Sequence, residues 1–160
     1  MRRPITRLLR KPTYIALLTA MVLPCTAAFA ADIRGAWMIE DEVAVEIGEC
    51  AGGSLCGRIV WLKTPRDAAG QPKHDRMNPD ATLRKRLVCG LTVLHGLRPA
   101  GPGIWEAGSL YDPRDGGRYN VAMELKSADV LVARVCLGLR IFGRSQTLLR
   151  AQGATTKAWC

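Results

Sequence analysis

Between Val43 and Leu62 the chain alternates apolar and polar positions on both sides of a small, glycine-rich centre. Val43, Val45 and Ile47 are spaced by Ala44 and Glu46, and Ile59 and Trp61 lie among Arg58, Val60 and Leu62. A period of two on each arm predicts two half-buried strands joined as a hairpin. Cys50 and Cys56 bracket the centre. If they face each other, Ile47 opposes Ile59, Val45 opposes Trp61 and Ala44 opposes Leu62. One face then collects Val43, Val45, Ile47, Ile59 and Trp61. A slip of one residue would turn that set towards water, so pattern and spacing agree on a register.

The same period returns further on. Ile33 to Glu40, Thr92 to Leu97, Ile104 to Tyr111, Arg118 to Leu125, Val130 to Leu137 and Ser145 to Arg150 read as strands. Turn residues separate them at Pro99 to Gly103, Asp112 to Gly117, Ser127 to Asp129 and Gly138 to Gly143. Tyr119, Val121, Met123 and Leu125 against Arg118, Asn120, Ala122 and Glu124 describe a strand with one wet face. About eight short antiparallel strands at this spacing suit a mainly β meander that closes on itself, since closure removes exposed edges. The exception is Thr64 to Asp80, a long polar loop with Pro65, Gly70, Pro72 and Pro79. Such loops in compact domains are often lids or binding loops. It leads to a short helix, Pro79 to Leu87, with Asn78 as its cap and Asp80 complementing the dipole. Arg84, Lys85 and Arg86 read as its solvated face.

Charge and compartment follow from the first 30 residues. Arg2, Arg3, Arg7, Arg10 and Lys11 precede an apolar run from Tyr14 to Leu23, and Ala28-Phe29-Ala30 is a small-x-small cleavage site. The run is shorter than the roughly 20 residues of a bilayer span. This is an export signal, residues 1–30, followed by a single domain, residues 31–160. Pro24 fits poorly before a lipidated Cys25, and the residues after Arg2-Arg3 do not continue a twin-arginine pattern. Five of the 23 Lys and Arg leave with the signal and none of the 14 acids, so the exported chain carries 18 cations and 14 acids, or +4. The precursor's basicity is therefore no nucleic-acid footprint, and no stable membrane insertion is expected after cleavage.

Export leads to an oxidising compartment, periplasmic or extracellular, where disulfides are the default. Cys50 to Cys56 is the pair local sequence supports, worth roughly 2 kcal/mol on the chain-entropy model. Of the others, Cys89 and Cys136 are a candidate second bridge, worth roughly 4 kcal/mol on that model. Cys160 is then the odd thiol and a route to a covalent dimer.

Several blocks resemble a bacterial exported family catalogued as domain of unknown function 2147. They are Gly35-Ala36-Trp37, Cys56-Gly57-Arg58-Ile59-Val60-Trp61-Leu62, Asn78-Pro79-Asp80, Cys89-Gly90-Leu91, Gly101-Pro102-Gly103-Ile104-Trp105-Glu106, Tyr111-Asp112-Pro113 and Gly143-Arg144-Ser145-Gln146-Thr147. The resemblance implies a small, exported, lipocalin-like β-barrel and carries over no activity. His95 stands where the family pattern expects an aromatic ring. Gly35-x-Trp37 with Arg150 looks like the lipocalin arrangement in which an arginine lies over a tryptophan at the closed end, a contact worth about 0.5 to 2 kcal/mol. The plainer alternative is a tryptophan merely buried in the first strand.

Trp61, Trp105, Tyr111 and Tyr119 are the candidate ligand-lining residues, because small-molecule sites are mostly apolar with few polar groups. An eight-stranded barrel can equally be filled by its own side chains. Asp112, Asp115 and Glu106 suggest paired carboxylates, but Asp112 to Gly117 is better explained as a hairpin turn. His74, Asp75, Asn78 and Asp80 match no standard metal spacing, and no triad order emerges. No catalytic residue, metal or cofactor is therefore assigned. The leading expectation is a binding module for a small apolar or amphipathic molecule. An envelope interaction or structural module with a solid barrel comes next, and an enzyme third.

Overall fold

The computed structural model describes residues 32–136 and 143–151 and arranges the alternating stretches as eight antiparallel strands. They are β1 (Gly35–Ile39), β2 (Val43–Glu49), β3 (Leu55–Leu62), β4 (Thr92–Gly101), β5 (Ile104–Asp112), β6 (Gly117–Ser127), β7 (Val130–Cys136) and β8 (Gly143–Arg150). Each pairs with the next, and β1 returns to β8 through Trp37 opposite Arg150 and Ile39 opposite Leu148, closing the barrel. Expectations for the export signal, Cys25, Cys160 and the tail beyond Ala151 fall outside the described residues.

The hairpin of β2 and β3 forms, with its register shifted by two. Gly48, not Cys50, stands opposite Cys56, Ile47 opposite Gly57 and Val45 opposite Ile59. The cause is a 3-10 turn at Ala51–Gly53 in which Gly52 and Gly53 take positive φ and the Cys50 N–H donates to the Ser54 carbonyl. Cys50 thus lies beyond the strand end and reaches Cys56 as a disulfide from the turn. A shift of two is a whole pleat period, so Val45, Ile47 and Ile59 keep their shared face.

The expectation for Trp61 does not survive. A bulge places Trp61 opposite Ala44 and Leu62 opposite Val43, so Val60 is the extra residue on β3 and sidedness reverses beyond it. Leu62 takes the inner place beside Val43, and Trp61 faces the other way.

The helix expected from Pro79 to Leu87 is one 3-10 turn, Ala81–Leu83, capped by Asp80 rather than Asn78. Asn78 is spent elsewhere, as described below, and its side-chain oxygen accepts from the Asp80 N–H. The second disulfide also differs. Cys136 is a buried thiol, whereas Cys89 is disulfide-bonded, so Cys89 and Cys136 do not pair.

One core cluster fills the end of the barrel near the start of β1, with Trp37, Ile47, Leu55, Leu97, Leu131 and Leu148 buried together. Gly108 belongs to this wall because a Cβ there would lie 2.8 Å from both Leu97 and Val121 side-chain carbons. A second cluster of Val45, Ile59, Val88, Leu91, Val93 and Tyr111 joins the barrel to residues 63–91, the long connection between β3 and β4, here called the strap.

The strap presses on the β5–β6 turn. Gly116 has φ +73°, and a Cβ on it would sit 2.1 Å from the Met77 carbonyl oxygen. Gly116→Ala is therefore expected to cost about 1 to 3 kcal/mol through overpacking. Its signature is a lower urea midpoint with faster proteolysis within the strap; an unchanged midpoint would show that the contact yields freely.

Candidate functional site

The two ends of the barrel differ in chemistry. At the closed end Arg150 stands 4.2 Å from the Trp37 ring centroid. Its Nη1, Nη2 and Nε donate to the carbonyls of Arg34, Asp32 and Ala128 at 3.0, 2.8 and 2.6 Å. Trp37 is fully buried and its Nε1–H donates to the Ile33 carbonyl at 2.7 Å. Gly35 belongs to the same corner, since a Cβ on it would come within 3.0 Å of Arg150 Nη1. One planar cation thus satisfies three carbonyls from two chain segments that meet at this end.

At the other end the strap is anchored by a buried polar network. Asp75 is 0 % exposed, and Asn78 and Tyr111 are 3 % each. Tyr111 Oη donates to Asp75 Oδ1, and Asn78 Nδ2 donates to Asp75 Oδ2 at 2.8 Å and to Tyr111 Oη at 3.0 Å. Arg86 completes the set at 2.7 Å from Asp75 Oδ2, and the Asp75 N–H donates to the Arg86 carbonyl. Burial alone would raise the Asp75 pKa, but donations from Tyr111, Asn78 and Arg86 outweigh it and hold the carboxyl below its ordinary value. Burial, then the Asp75 carboxylate, pushes the Tyr111 hydroxyl up. Arg86 and Arg118 flank the Tyr111 ring at 5.4 and 5.5 Å. With both Asp75 oxygens engaged, this group locks the strap.

The inner wall at this open end is graded. Paired residues share a face, so β8 presents Leu148 opposite Leu131, Gln146 opposite Ala133 and Arg144 opposite Val135. Read from the core outward, that row passes from buried Leu148 through half-buried Gln146 to exposed Arg144. Tyr119, opposite Leu110, adds a phenol to the same inner face. Its hydroxyl donates to Asp115, which raises the tyrosine pKa and, with the Gly117 N–H, lowers that of the carboxylate. Next to this row, β1 joins β8 through Ile39 opposite Leu148, and Val43 and Leu62 keep the β1–β3 side apolar.

The four aromatic residues expected to line a cavity are not brought together. Tyr119 is on the inner face at the open end. Trp105 is half-buried against the closed-end core, opposite Met123. Tyr111 faces away from Leu110, under the strap, and Trp61 faces away from Val45 and Ile59. His95 is exposed opposite Ser109. Sequence reading missed Arg144 and Gln146 as wall residues and Asp75 as an anchor. The spacing of 144, 146 and 148 was visible, but its inward sense depends on pairing with β7. A separate shallow groove of about 330 Å³ runs outside β2 and β3, beside Glu46, Gly48, Arg58 and Thr92.

A family model for an uncharacterized protein conserved in bacteria, DUF2147, matches residues 35–150. The chain belongs to this family. Its matched span runs from the first residue of β1 to the last of β8, the whole closed sheet. Among solved structures, Helicobacter pylori HP1028, described as belonging to the lipocalin family, superposes with a TM-score of 0.66 at 22 % identity, covering 77 % of this chain and 85 % of that one. At that identity the likeness shows the lipocalin-like fold. No curated protein matches the chain.

Proposed function

We propose that this DUF2147 chain is an exported lipocalin-like barrel that binds a small amphipathic anion at its open end. The observation that carries the reading is the graded inner row of β8, Leu148, Gln146 and Arg144, adjoining an apolar wall of Ile39, Val43 and Leu62. A ligand with an acyl-like body and an anionic head matches that row: the body lies against the apolar wall, and the head takes charge-assisted hydrogen bonds from Arg144. Tyr119 offers a phenol beside the body. Export is supported by the basic start, apolar run and small-x-small site within residues 1–30, and the Cys50–Cys56 disulfide fits an oxidising compartment.

Displacement of a fluorescent long-chain fatty acid tests the reading. Arg144→Ala is expected to weaken binding by about tenfold or more, the loss of a charge-assisted hydrogen bond. Trp61→Phe, on the outer face, is expected to leave affinity unchanged. Equal affinity in Arg144→Ala would remove the anionic-head assignment. Protein purified from its own host that shows no bound small molecule by native mass spectrometry, and no fatty-acid binding, would count against a ligand altogether.

A further inference from the structure

The whole excess charge of the exported chain lies in the strap. Residues 63–91 carry seven Lys and Arg, from Lys63 to Arg86, against Asp67, Asp75 and Asp80. That is +4, equal to the net charge read above for residues 31–160, so the rest of the exported chain balances. The three strap acids already have partners. Asp75 is buried in its network, Asp67 pairs with Arg76 at 2.9 Å and Asp80 caps Thr82.

The strap also carries three of the five exposed large apolar side chains among the described residues: Met77 at 57 %, Leu83 at 38 % and Leu87 at 47 % exposure. All belong to one excursion closed at its base by the His74–Leu87 bridge and the hydrogen bond from the Asp75 N–H to the Arg86 carbonyl. Arg84 Nε ties the tip to the Asn78 carbonyl at 2.7 Å. The tip is therefore a constrained loop in which apolar side chains and cations, Lys85 among them, are exposed together. Its base is held by a buried network, which makes the presentation rigid.

From this arrangement we infer that the strap tip docks on an anionic phospholipid surface, with Met77, Leu83 and Leu87 entering the headgroup boundary and the exposed tip cations Arg76, Arg84 and Lys85 contacting lipid phosphates. Charge complementarity selects the occupant. Cations interleaved with exposed Leu and Met are the chemistry of interfacial binding, in which apolar insertion and attraction to anionic headgroups act together. A polyanion without an apolar phase would leave the three side chains in water. The inference is independent of whether the barrel holds a ligand.

Vesicle co-sedimentation tests it, comparing pure phosphatidylcholine with phosphatidylcholine containing phosphatidylglycerol. All variants carry one N-terminus, verified by mass, so differences between them belong to the strap. The wild type is expected to sediment with the anionic vesicles and not the neutral ones, and to be weakened by salt. Lys85→Glu is expected to weaken partitioning by at least about fivefold per unit of charge. Met77→Ser/Leu83→Ser/Leu87→Ser, at exposed positions, is expected to weaken it at least about tenfold, with an unchanged urea midpoint showing that the fold is intact. If the triple variant is destabilised, Lys85→Glu alone decides. No sedimentation with anionic vesicles, or equal sedimentation with both kinds, overturns the inference. So does full binding by a folded triple-serine variant, which would reassign the tip as a polyanion contact.

Discussion

Asp75→Asn is expected to destabilise the protein by about 3 kcal/mol, the scale for breaking a buried ion pair by removing one partner's charge. The substitution keeps the volume but turns one acceptor oxygen into a donor. Asp75 receives hydrogen bonds from Tyr111, Asn78 and Arg86, so an amide at this buried position must oppose at least one of those donors. The pH dependence follows the same chemistry. The folded pKa of Asp75 lies below its ordinary carboxylate value, so its contribution is fully present above the unfolded pKa of about 3.9 and is lost as pH falls through the lower folded value. Wild type should therefore lose stability on the acid side more steeply than Asp75→Asn. Urea midpoints of the two proteins between pH 3 and pH 7 (roughly, the span in which carboxylates titrate) check this. Parallel acid limbs would show that Asp75 does not carry the linkage. Tyr111→Phe separates geometry from charge: it removes one donor, leaves the Arg86 pair, and should cost about 1 to 2 kcal/mol with the acid limb retained.

How much of this was legible beforehand divides along the reach of each interaction. Strand identity was readable because alternation is local, and all eight stretches read as strands overlap the observed ones. Closure followed from their number and spacing. The side on which Trp61 lies was not, because it depends on one bulged residue, Val60, whose cost is met by the neighbouring strand and not by the pentapeptide around it. The helix after Pro79 failed for a similar reason. Asn78 and Asp80 are ordinary helix-start residues, but Tyr111, 33 positions away, takes a hydrogen bond from Asn78 and fixes the chain in a turn. Asp75 and Asn78 were noticed as oxygen donors in a loop; that they meet Tyr111 and Arg86 in a buried network required the strap to fold back on the barrel. The open-end row of Arg144, Gln146 and Leu148 was written in the sequence as a period of two, yet nothing local tells which of its faces looks inward.

The closed end is the other place where a single substitution should act strongly. Trp37→Ala is expected to cost about 4 kcal/mol, since the ring is fully buried and large-to-small changes in a core leave both a transfer loss and a cavity. Part of that loss is specific to the indole. Trp37→Phe keeps an aromatic face under Arg150 but removes the donor to the Ile33 carbonyl, and should cost about 1 to 3 kcal/mol for the acceptor left buried. Arg150→Lys separates the remaining contributions. Lysine keeps the charge, but its ammonium cannot reproduce the planar fork that serves Asp32, Arg34 and Ala128 together. A double-mutant cycle with Trp37→Phe and Arg150→Lys isolates the coupling between the ring and the guanidinium, expected at about 0.5 to 2 kcal/mol if the stacked contact carries energy. Additive losses would mean that Arg150 closes the barrel through the three carbonyls alone. In that case the Trp37 ring contributes by filling the core, and the cation above it is held there by the backbone it binds.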